Sequence, residues 1–110
     1  METIPPLRRR IDRLDDRIVA LLARRFALSR RIGRVKAALG GKVRDAKRER
    51  QILSRLKALP AARACKAEVE KIYRTLLVAS RHQQERKPRR RSTSRERVPR
   101  GDRKPRRRAQ

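Results

Sequence analysis

Between Leu7 and Leu39 the chain places apolar residues at alternating steps of four and three, at Leu7, Ile11, Leu14, Ile18, Leu21, Leu28, Ile32, Val35 and Leu39. That spacing predicts one long amphipathic helix with a continuous apolar seam. One slot breaks the pattern, because Arg25 stands where the rhythm expects an apolar side chain. A guanidinium does not give up its charge, so at an inward position it requires an anion from the protein or from a ligand. The rest of the sequence offers few carboxylates at inward positions, which favours a ligand and directs attention to other polar residues in apolar stripes.

Two further helices carry such residues. After Gly40-Gly41, the segment Val43-Arg44-Asp45 leads into a second helical pattern with Asp45 as its N-cap, Ile52, Leu53, Leu56 and Leu59 as its apolar face, and Pro60 as its end. Glu49 precedes Ile52 and Leu53 by three and four residues and starts the inward stripe of that helix. A third pattern spans residues 66 to 85, with Val69, Ile72, Tyr73, Leu76 and Leu77 apolar, and its continuation by fours reaches Ser80 and Gln84. Each helix thus carries inward polar residues: Arg25, Glu49, and the pair Ser80 and Gln84.

Length and charge bound what surrounds these helices. The chain has 110 residues and a formal net charge of +25, enough for one small domain plus an unfolded segment. Residues 86 to 110 hold 13 Lys and Arg against two acids, Glu96 and Asp102, and almost no apolar side chains. Such a segment buries too little to offset ordering, so residues 1 to 85 are read as a helical domain and 86 to 110 as a disordered Arg-rich basic tail. A first helix of this length would run roughly 50 Å, longer than an 85-residue globule is wide. Its own two shorter helices cannot cover it, and a homodimer in which two such helices pack along each other is the expected solution. The single Cys65 excludes an intrachain disulfide, and no signal peptide or membrane-spanning apolar run is present. Both point to the cytoplasm.

The chain from Leu7 to Gln84 resembles the all-helical class of chorismate mutases. The resemblance rests on Leu7-Arg8-x-x-Ile11-Asp12-x-Leu14-Asp15, on Leu21-Leu22-x-x-Arg25 followed by Gly33-x-x-Lys36, on Val43-Arg44-Asp45-x-x-Arg48-Glu49, and on Ser80-x-x-x-Gln84. Each piece is ordinary, and their order and spacing together carry the signal. The resemblance implies an all-α chain of three helices, an intertwined homodimer, and conversion of the dianion chorismate to prephenate in the shikimate pathway to Phe and Tyr. It implies that Arg25 binds a substrate carboxylate within its own chain and that Arg8 reaches the partner's pocket. Lys36 and Gln84 would hydrogen-bond the ether oxygen, Lys36 also touching a carboxylate. Asp45 and Glu49 would bind the ring hydroxyl, with Arg48 and Ser80 supporting the ring carboxylate and the wall. Lys36, Gln84, Glu49 and Arg25 would carry the catalysis. No family counterpart is known for the tail.

Helical geometry is consistent with that assignment. Lys36 follows Arg25 by 11 residues, and 11 steps of about 100° return to within roughly 20° of the same face. Arg8 precedes Arg25 by 17 residues, about 100° round the helix and roughly 25 Å along it, so the two cannot share a pocket within one chain. A unimolecular rearrangement needs no nucleophile, metal or cofactor; it needs a restrained conformer and donors where charge develops.

Other residues have plainer readings. Arg44, Lys47 and Arg50 are read as a solvated face, His82 as exposed, and Cys65 as incidental in a connection. A Ser such as Ser80 can satisfy itself by bonding the backbone one turn earlier. The tail repeats Arg-Lys-Pro-Arg-Arg-Arg at 86–91 and 103–108. It is either a solvated extension or a polyanion-binding arm without the aromatics of base stacking. Two rival functions remain: an isochorismate pyruvate-lyase of the same fold, against which the segment from Val43 to Glu49 argues, and a non-enzymatic helical nucleic-acid binder, supported by net charge alone.

Overall fold

In a computed structural model, which describes residues 1–42 and 44–86, the chain forms three α-helices and one short 3-10 turn. Helix α1 spans Ile4–Ala38, α2 Ala46–Lys57 and α3 Lys66–Glu85, with the 3-10 turn at Pro60–Ala62. The basic tail, for which disorder is expected, falls outside the described residues from position 87 onward.

Helix α1 begins three residues before its apolar seam because Pro5 and Pro6 lie in its first turn, where a missing amide hydrogen costs no helical bond. It ends at Ala38, two residues before Gly40, whose φ of +72° suits glycine, while Gly41 N–H returns to Lys36 O at 2.8 Å. Asp45 caps α2 as the sequence predicts, its Oδ1 accepting from Arg48 N–H at 2.9 Å. Glu49 sits in the first turn of α2, favourably placed for the helix dipole.

Helix α3 packs against both other helices. Against α2 it forms the apolar core, with Ile52, Leu53 and Leu77 buried and Leu56 and Tyr73 packed on them. Two residues expected on these apolar faces are instead exposed: Leu59 lies past the last turn of α2, and Ile72 turns to solvent. A salt-bridge cluster closes the far end of the same pair, where Lys57 Nζ donates to Glu70 Oε1 at 2.6 Å and Arg74 Nη2 to Glu70 Oε2 at 2.7 Å. These two cations hold the Glu70 carboxyl below the ordinary carboxylate range, the Lys57 hydrogen bond contributing most.

Against α1 the contact uses a stripe the apolar pattern does not mark. The stripe holds the half-buried Leu22 and Phe26 and the buried Ser29 and Gly33, the last two meeting Ser80 and Gln84 of α3. A Cβ at Gly33 would lie 2.6 Å from Gln84 Cα, so only hydrogen fits and the two backbones cross at close range. Arg30 Nη1 reinforces the crossing by donating to Gln83 Oε1 at 2.7 Å. The seam itself lies about 100° round the helix, and every apolar residue in it is at least 37% exposed. The longest apolar stripe of the sequence is therefore left uncovered by the chain's own helices.

Candidate functional site

The three helices line a half-open cavity of about 360 Å³. Helix α1 lines it with Arg25, Leu28, Ser29, Ile32 and Lys36; Asp45 and α2 contribute the cap residue with Arg48, Glu49 and Ile52; α3 contributes Leu77, Ser80, Arg81 and Gln84. Seven of the eight residues singled out in the sequence meet here. Arg8 does not, because it is exposed near the start of α1, as its separation from Arg25 requires.

Arg25 is half-buried at the border between the exposed seam and the stripe under α3. Its Nη1 donates to Ser80 Oγ, and its guanidinium carbon lies 6.0 Å from the centre of the Tyr73 ring. Ser80, 4% exposed, also meets Ser29 Oγ at 3.1 Å. Its hydroxyl thus serves side chains of α1 rather than its own backbone. No carboxylate of the described residues pairs with Arg25.

One turn further along α3 and about two turns beyond Ser29 on α1, Lys36 Nζ donates to Gln84 Oε1 at 3.4 Å. With the amide oxygen turned to the ammonium, the NH₂ group of Gln84 is its remaining polar group, and it can only donate. Across the cavity, Arg81 Nη1 donates to Glu49 Oε2 at 2.6 Å, and Arg44 Nε lies 3.9 Å from Glu49 Oε1. The lining carries four cations, Arg25, Lys36, Arg48 and Arg81, against two carboxylates, Asp45 and Glu49. The surplus of two positive charges, spread over forked and point donors, suits a small dianion that also presents a hydroxyl or ether oxygen.

Sequence reasoning missed Ser29 and Arg81. Ser29 had a signal, since a small residue one turn before Gly33 marks a face where helices can approach closely. Arg81 had none, as one arginine among many in a basic chain. His82 is exposed as expected, and Arg44 is largely solvated despite its distant contact with Glu49. Among the described residues no three His, Cys, Asp or Glu side chains gather as a metal site, and no helix is long and apolar enough to cross a membrane.

A three-helix chain with a polar cavity lined by more cations than carboxylates belongs to the all-α class of proteins. Residues 7–85 match the profile of the family described as chorismate mutase type II, and the chain belongs to that family. It is 32% identical over 59 residues to the chorismate mutase of Methanocaldococcus jannaschii, an alignment that takes in 54% of this chain and 60% of that protein. The chain therefore matches less than two thirds of the length of this curated relative. It also resembles the solved structure of a conserved hypothetical protein from Pyrococcus furiosus, with a TM-score of 0.59, 32% identity, and coverage of 71% of this chain and 90% of that one.

Proposed function

We propose that the protein is a chorismate mutase, rearranging chorismate to prephenate, a precursor of Phe and Tyr. The observation that carries this reading is the convergence of Arg25, Lys36, Asp45, Arg48, Glu49, Ser80 and Gln84 from three helices on one cavity. In the reaction the ether C–O bond breaks as a C–C bond forms within the same molecule, and negative charge builds on the ether oxygen. Lys36 and the NH₂ group of Gln84 donate to that oxygen, and because both are held in place before substrate arrives they need not reorganise in the transition state. Arg25, steadied by Ser80, grips one carboxylate and thereby restrains the folded conformer. Arg48 supports the ring carboxylate, and Asp45 and Glu49 accept from the ring hydroxyl.

The same proposal includes a homodimer. The uncovered seam of α1 is a long apolar stripe, and pairing it with a second copy would bury it and bring Arg8 of each chain towards the cavity of the other. The deciding experiment supplies chorismate and isochorismate separately to the full chain and follows prephenate and pyruvate. Prephenate from chorismate is expected; pyruvate from isochorismate with no prephenate would assign the chain to the lyase reaction, and no turnover of either would remove the enzymatic reading.

A further inference from the structure

Glu49 faces a cavity proposed to hold a dianion, where an uncompensated carboxylate would repel the ligand it has to orient. Arg81 removes that difficulty. It reaches from α3 to α2 and holds Glu49 Oε2 at 2.6 Å. The two side chains are only 22% and 18% exposed, so water and salt screen the pair less than they would a surface pair. Arg44 is a poor substitute, at 3.9 Å from the other oxygen and with a side chain 66% exposed. With Oε2 committed to Arg81, Oε1 keeps lone pairs for a hydroxyl.

We propose that Arg81 is a positioning residue that clamps Glu49 through Oε2 and cancels its charge, so that Oε1 works as a hydroxyl acceptor and the cavity selects hydroxylated dianions. The inference rests on the reading of Glu49 as the acceptor for the ring hydroxyl of chorismate. Arg81 is itself not placed on the reacting atoms; it acts through Glu49. A role confined to tying α2 to α3 would have a different signature: Glu49→Gln keeps an oxygen that can accept from Arg81, so Arg81→Ala would still break the tie in that background, and the loss would show in the thermal midpoint rather than in KM.

The test is a double-mutant cycle in steady-state kinetics on chorismate with the full chain. Arg81→Ala is expected to raise KM about 10- to 100-fold, the range expected when a partly buried charge pair is broken. Its kcat should change less, since the lost interaction is made equally in ground and transition states. Arg81→Lys should restore most of the affinity. In the Glu49→Gln background, Arg81→Ala should change KM by no more than about threefold, because no charge remains to be compensated. Arg81→Met, which keeps the packing of the stem without the charge, carries the same expectations if the alanine variant does not fold. An unchanged KM, a loss confined to kcat, or an equal loss in both backgrounds overturns the inference while leaving the function standing. Absence of chorismate turnover by the unaltered chain overturns the function and this inference with it.

Discussion

Gln84 shows how a neighbouring residue decides what a side chain can offer. Lys36 takes its amide oxygen, so the NH₂ group is left as a donor at every ordinary pH. Gln84→Glu would set a carboxylate beside the same ammonium, which favours the ionised form and lowers its pKa. An ionised carboxylate cannot donate, so kcat should fall about 10²- to 10³-fold at neutral pH, the usual cost of one preorganised donor. Activity should recover as the pH drops through the acid range and the group takes up its proton. A kcat–pH profile of this variant checks the role, and a flat profile would remove Gln84 from the ether oxygen. Arg25 was visible in the sequence as a misfit in an apolar rhythm and Ser80 as an inward polar residue, yet their pairing was not. Ser80 and Ser29 lie more than 50 residues apart and meet only because α1 and α3 cross there. Arg81 was invisible for a related reason, since nothing local separates an arginine that crosses to another helix from one that faces water.

At the scale of the helices, the crossing of α1 and α3 fixes the distance between Lys36 and Gln84, and Gly33 sets that crossing. Gly33→Ala leaves α1 helical in propensity, because alanine is the better helix former. The added methyl group must nevertheless push against the backbone of Gln84, displacing α3 or the last turn of the site. The expected outcome is a chain with near-normal helical circular dichroism that has lost 10²-fold or more of its kcat, a magnitude on the order expected when reacting groups are misplaced by about 1 Å. Retained kcat would mean that the crossing adjusts without cost to the site. The α2–α3 pair offers a separate test through Glu70. Its carboxyl pKa is lowered in the folded chain, so its stabilising effect is present above the ordinary carboxylate range and is lost as pH falls through the lowered value. Glu70→Gln should therefore lower the thermal midpoint at neutral pH, with the difference from the unaltered chain fading in acid; a difference independent of pH would exclude the ion pair as its source. Helix boundaries were largely legible because caps and breakers are local: Asp45, Gly40 and Pro60 each act within a few residues. The packing face of α1 was not, because apolarity marks what avoids water, whereas close helix approach is marked by small residues such as Ser29 and Gly33.

For the whole molecule, the cavity is built within one chain, and the group proposed to complete it is not. If Arg8 acts across a dimer, mixing Arg8→Ala chains with Arg25→Ala chains should create heterodimers with one doubly damaged site and one intact site. Up to about half of the sites in such heterodimers would be intact, so activity should reappear on mixing after subunits exchange. Verified heterodimers that stay inactive would place Arg8 outside the site. The expectation of a second copy rests on arithmetic, because an apolar rod of roughly 50 Å outruns its own two helices. What the arithmetic did not convey is how little of the stripe the chain itself shelters. If a second copy covers it, that exposure gives the protein a memory of its concentration. On serial dilution the rate per chain should decline once pairs come apart, and on reconcentration it should return only after a lag, the time two long rods need to find each other in register.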